Sequence, residues 1–162
     1  MTDRGHSDAA AALARLRERG WTLGVAESLT GGLLAATLIG VPGASVTVVG
    51  AIVAYATPLK HTLLGVDAQL LAEHGAVHPE VARQMAIGVR RAVAVDGRPA
   101  DVGIGTTGIA GPDSPDGQPV GTVHIGVSTA DETRVVTLHL EGNRDEIRAE
   151  SVRQSLRALM AL

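Results

Sequence analysis

Residues 45–56 read Ser-Val-Thr-Val-Val-Gly-Ala-Ile-Val-Ala-Tyr-Ala, SVTVVGAIVAYA. The run is rich in β-branched side chains and nearly continuous in apolarity. It lacks the strict alternation of a strand that faces water on one side. Such a strand is expected within an α/β sheet whose two faces are both covered by helices. The flanking segments fit that reading. Residues 22–26, TLGVA, form a second short apolar strand, and residues 30–41, TGGLLAATLIGV, read as a buried helix stopped by Pro42 and Gly43. Before them, residues 7–20 predict a first helix with Ser7 or Asp8 as cap and Gly20 as stop, residues 1–6 being frayed.

Downstream, residues 67–75 predict a short helix. A longer one starts at His78-Pro79 and runs to about Val95, with Val81, Met85 and Val89 repeating every four residues. Residues 101–107 give another strand. Residues 120–129 and 133–140 alternate well and are separated by Ala-Asp-Glu, the pattern of a hairpin. Asn143 followed by Glu146 predicts a capping box for a last helix that runs to the C-terminus. Strands alternating with helices, closed by a hairpin, predict a single domain: a three-layer α/β/α sandwich with a mixed, mostly parallel sheet of about five strands.

Composition narrows the function classes. The chain has 162 residues and is 45% apolar, yet it has no Phe, one Trp (Trp21) and one Tyr (Tyr55). Its core must therefore come from Val, Leu, Ile and Ala. A net charge of −3 gives no electrostatic footprint for nucleic acid or an anionic membrane. Cysteine is absent, which excludes disulfides, thiolate metal sites and a Cys nucleophile. No apolar run reaches the roughly 18–20 residues of a membrane span. The six histidines show no ligand spacing, so no metal is expected. The expectation is a soluble, cytoplasmic protein.

Functional residues in such sheets gather at the carboxyl ends of the strands. Four segments qualify. In AESLTGG (26–32), Ser28 follows a strand and precedes a helix, so its hydroxyl can be presented next to helix N–H groups that stabilise developing negative charge. Ser28 or Thr30 reads equally well as a plain helix cap. In YATPLK (55–60), Lys60 can act as a base if burial or neighbouring charge favours its neutral form, and Tyr55 can relay a proton; the ordinary reading is a surface Lys and a half-buried Tyr. In TTGIAGP (106–112) the glycines can cradle a ligand or simply make turns, and the long loop 108–119 exceeds most connections. In GNRDEIR (142–148), Arg144 and Arg148 lie four apart at a helix start, the arrangement of a phosphate clamp, or of a solvated face paired with neighbouring carboxylates.

Taken in order, these pieces resemble the CinA C-terminal domain family, which includes nicotinamide mononucleotide amidohydrolases. The resemblance rests on AESLTGG, on Gly50-Ala-Ile-Val-Ala-Tyr55 with Lys60 and Leu64-Gly65-Val66, and on His74-Gly-Ala-Val77. It continues through Thr107-Gly-Ile-Ala-Gly-Pro112, Pro119-Val-Gly-Thr-Val123 and Gly142-Asn-Arg-Asp-Glu-Ile-Arg148. It covers roughly residues 8–160. It implies conversion of the carboxamide of nicotinamide mononucleotide to the acid with release of ammonia, without cofactor or metal, in a homodimer. Ser28 is then the nucleophile, with Lys60 and Tyr55 handling protons. Glu27, Thr30, Gly31, Thr107, Gly108, Gly111, Arg144 and Arg148 are the expected substrate contacts. Two alternatives stay open: a non-catalytic nucleotide-binding or competence-associated module, and an amidase for another small amide. Leu29 stands where the family often has Cys, His78 where it favours Ser, and Asn143 where Asp is common. Longer CinA proteins carry an additional N-terminal domain whose activity is not carried over.

Overall fold

The computed structural model describes residues 3–114 and 117–162. Five strands, β1 (Leu23–Glu27), β2 (Val48–Val53), β3 (Val102–Gly108), β4 (Thr122–Ser128) and β5 (Thr133–His139), form one sheet in the order β2-β1-β3-β4-β5. β2, β1 and β3 are parallel, β4 is antiparallel to β3, and β5 returns antiparallel to β4 as the predicted hairpin. Helices α1 (Asp3–Glu18), α2 (Leu33–Ile39) and α6 (Arg144–Met160) cover one face; α3 (Thr57–Leu64), α4 (Ala68–His74) and α5 (Pro79–Ala92) cover the other. The predicted three-layer mixed sandwich is the observed one.

The two faces solve the shortage of aromatic residues differently. Toward α1, α2 and α6 the strands present Leu23, Val25, Val102, Ile104, Val123, Ile125 and Val127, packed against Leu13, Leu16, Leu34, Leu38, Leu156 and Leu159. Toward α5 they present glycines. A Cβ on Gly103 would sit 2.0 Å from Ala86 O, one on Gly105 2.8 Å from Ala86 N, and one on Gly126 2.3 Å from Ala82 O. The helix backbone thus lies directly on the strands, and contact is gained by approach rather than by side-chain bulk.

Four expectations change. α1 starts at Asp3, not at a Ser7 or Asp8 cap, because nothing between residues 3 and 7 forbids helix; the expected fraying of residues 1 and 2 falls outside the described residues. β2, the strand expected to be covered on both faces, is the sheet edge, and Val46, Val53 and Tyr55 are exposed. Chain order explains this: β3 takes the inner side of β1, which leaves β2 outside. α2 begins at Leu33 rather than at residue 30. Finally, residues 57–64, for which the sequence predicts no element, form α3, with Pro58 in its first turn and Gly65 (φ 68°) ending it.

Candidate functional site

A cleft opens at the carboxyl ends of β1, β2 and β3. Ser28 follows β1 directly, and its N–H donates to Thr106 O on β3 (3.1 Å), which fixes the residue beside the neighbouring strand. The chain then makes two successive turns, Gly31 N–H to Ser28 O and Leu33 N–H to Thr30 O, both 3.1 Å. Gly31 and Gly32 take positive φ (59° and 93°), which a residue with a Cβ enters only at a cost. Ser28 is therefore set apart from α2 and does not cap it.

The cap is Glu27. It is fully buried, and its carboxylate accepts from Gly32 N and Leu34 N (3.1 Å each) and Ala35 N (2.9 Å). This corrects two expectations. Glu27 touches the start of α2 and not the cleft, because an anion at a helix N-terminus satisfies orphan N–H groups. The same bonds occupy the α2 amides that were expected to serve as oxyanion donors. Thr30 is also withdrawn from the cleft: it is fully buried, its Oγ1 2.9 Å from Thr106 Oγ1. Gly31 does not line the cleft either.

Lys60 comes from α3 and is 1% exposed. Its Nζ donates to Ser28 Oγ (3.0 Å) and Ala54 O (2.8 Å), with Tyr55 O at 3.4 Å. The turn from β2 into α3 brings the amine onto the serine. Tyr55 contributes its main-chain carbonyl to Lys60, while the residue is 61% exposed and its hydroxyl accepts from Arg144 Nη2 (3.2 Å). Arg144 thus engages the hydroxyl, and among the described residues no bond from it to Ser28 is present. The exit of an edge strand leaves the ring facing outward.

The cleft is lined by Ser28, Leu29 and Lys60, by Tyr55 and Thr57, by Ala76 and Val77, by Thr107 to Gly111, and by Asp113 and Arg144. Thr107, Gly108 and Gly111 stand where expected, although the Thr107 hydroxyl is taken up by Ala76 O (2.7 Å). The two arginines of α6 part company. Arg144 reaches the cleft and donates from Nη1 to Gly111 O (2.7 Å). Arg148 turns to the serine turn, donating to Leu29 O from Nε (3.0 Å) and to Thr30 O from Nη2 (3.1 Å). A spacing of four aligns them along the helix, but the carbonyls beside Arg148 claim its donors, so it does not line the cleft. The capping box at Asn143 and Glu146 that starts α6 is present as predicted.

Sequence reasoning missed Thr57 and Asp113. Asp113 lies in the long loop singled out for its length, but nothing in its type marks it there. Pro115 and Asp116 of that loop lie outside the described residues. Behind the wall, His124 on β4 is buried, with Nδ1 2.9 Å from Thr137 Oγ1; burial, then His78 and His139, hold its imidazole below the ordinary range. Among the described residues no group of side chains suits a metal, and no helix is long and apolar enough to cross a membrane.

Fold and site together define an α/β/α domain with a buried serine–lysine pair at the carboxyl ends of its strands. The family model described as the CinA C-terminal domain matches residues 6–162, and the chain belongs to that family. It is 47% identical over 144 residues to a CinA-like protein of Frankia casuarinae and 48% identical over 151 residues to one of Gloeobacter violaceus. Those matches cover 89% and 91% of this chain but only 32% and 34% of the relatives, so the chain spans about a third of their length. Among solved structures it resembles a competence-damaged protein (CinA) superfamily protein from Escherichia coli. There the TM-score is 0.90 at 30% identity, over 100% of this chain and 94% of that one. It resembles a competence/damage inducible protein from Agrobacterium tumefaciens with a TM-score of 0.91 at 30% identity, over 99% and 96%.

Proposed function

We propose that the domain is a metal-independent serine amidohydrolase that converts nicotinamide mononucleotide to nicotinic acid mononucleotide and ammonia. One observation carries the reading: Lys60 Nζ lies 3.0 Å from Ser28 Oγ with both groups buried at the base of an open cleft. The contact gives the serine hydroxyl and the lysine amine a direct path for proton exchange. Serine with an adjacent base is the minimal unit of nucleophilic acyl transfer.

In this reaction Ser28 Oγ attacks the carboxamide carbon while its proton passes to Lys60 Nζ. The C–N bond of the tetrahedral adduct then breaks, and the nitrogen leaves as ammonia with the proton from Lys60. Water adds to the resulting ester, again deprotonated by Lys60, and Ser28 is restored with the acid product. Among the described residues the Leu29 N–H, next to Ser28 in the cleft, has no acceptor. It is one of the cleft amides open to meet the developing oxyanion, as are those of Ala110 and Gly111. Arg144 at the rim is the handle for the 5′-phosphate, whose binding energy positions the carboxamide over Ser28.

Incubating the purified protein with the mononucleotide and assaying ammonia tests this. One ammonia per acid nucleotide formed is expected. Tight binding without ammonia points to a binding module instead, and faster release from an unphosphorylated amide points to another substrate.

A further inference from the structure

Asp113 is an exposed carboxylate on the wall of the cleft. Among the described residues no hydrogen bond or ion pair engages it. Arg144 lines the same cleft, yet its guanidinium is held by two uncharged acceptors, Gly111 O and Tyr55 OH. The two opposite charges share one opening without neutralising each other. Gly111, which anchors Arg144, is two residues before Asp113, so one loop positions both groups.

We infer that Asp113 reads the sugar hydroxyls of a ribose phosphate ligand whose phosphate is taken by Arg144. This rests on the nucleotide reading above and deepens it. The reacting amide must reach Ser28 on the floor. A ring, sugar and phosphate joined in that order then run outward, so the rim meets the sugar and the phosphate. A carboxylate cannot serve the phosphate, which repels it. It can accept hydrogen bonds from a vicinal pair of hydroxyls, its two oxygens matching two donors. Because Asp113 is exposed, water screens mere attraction to the distant cationic ring, which leaves directional hydrogen bonds as the stronger contribution.

The test is a cycle of two ligands and three side chains at residue 113, run by calorimetry in a Ser28→Ala background that leaves the amide intact. The ligands are nicotinamide mononucleotide and its 2′,3′-dideoxy analogue. With Asp113 present, removing the hydroxyls should weaken binding about ten- to twentyfold, the lower part of the range for a charged hydrogen bond. Asp113→Ala should weaken the ribonucleotide by a similar factor and leave the dideoxy analogue unchanged, and Asp113→Asn should recover part of the loss. An equal loss on both ligands would mean ring attraction or a disturbed loop and would overturn the inference, as would no loss on either. Failure to bind the ribonucleotide at all would also overturn it. Ammonia release by the protein with Ser28 intact, assayed alongside, judges the hydrolytic reading separately: binding that depends on Asp113 without ammonia sinks the reaction and leaves this inference standing.

Discussion

Ser28 and Lys60 on the floor of the cleft are 8% and 1% exposed, whereas Tyr55 at its rim is 61% exposed. The floor is fixed by main chain: Ser28 N–H on Thr106 O, Lys60 Nζ on Ala54 O, and Arg148 on the carbonyls of Leu29 and Thr30. The rim is held by side chains in water, Arg144 bridging Gly111 O and Tyr55 OH. Groups that exchange protons need fixed geometry and little water. Groups that take a charged ligand must stay open to receive it. Under the proposed function, the difference puts chemistry on the floor and recognition at the rim.

Removing the floor's amine should have the largest effect. Lys60→Met is expected to lower kcat by about 10²–10⁴-fold, the range for loss of a general base, with KM nearly unchanged, as steady-state ammonia kinetics would show. A loss confined to KM would dissolve the division between floor and rim. At the rim, Arg144→Ala should lower kcat/KM about ten- to a hundredfold through KM, the equivalent of roughly 1.5–3 kcal/mol for a charged hydrogen bond. Arg148→Ala sharpens the contrast, since it should lower kcat through a loosened serine turn. A pure KM effect there would return Arg148 to the phosphate.

Much of this was legible in the sequence, for specific reasons. The hairpin, the α6 capping box and the layer order follow from periodicity and side-chain chemistry, which are local. Ser28 and Lys60, which lie 3.0 Å apart, stand out in the sequence because both flank strand exits. What stayed hidden depends on contacts distant in sequence. Glu27 beside a serine looks like part of a site, and only the path of residues 28–33 shows that its carboxylate caps α2. The apolar run 45–56 announces a strand but not its place at the edge, which strand order decides. Helix α3 is eight residues long and starts on Thr-Pro, so its turn signal hid its helical one. Arg144 and Arg148 have identical spacing arguments and different neighbours.

Two smaller effects probe the frame behind the floor. Glu27→Ala strands the N–H groups of Gly32, Leu34 and Ala35 in a buried place and should cost about 2–3 kcal/mol, read as a lower midpoint in urea with unchanged slope. An unaltered midpoint would mean the cap is dispensable. His124 gives the least. Its folded imidazole titrates below its ordinary value of about 6.5, so as pH falls through that value the unfolded chain takes up a proton that the folded one refuses. Stability should therefore be full above about pH 7 and decline as pH drops from there toward the folded value. His124→Asn should flatten that decline in denaturant titrations at stepped pH. An unchanged slope would place the sensitivity elsewhere.

The central claim is that Ser28 is the nucleophile and that binding is built separately from it. Comparing Ser28→Ala with the unsubstituted protein, by ammonia release and by calorimetric binding of nicotinamide mononucleotide, tests both halves together. Ammonia release is expected to disappear into the uncatalysed background while the nucleotide still binds with a Kd close to the Michaelis constant of the unsubstituted protein. Undiminished ammonia release by Ser28→Ala would contradict the claim.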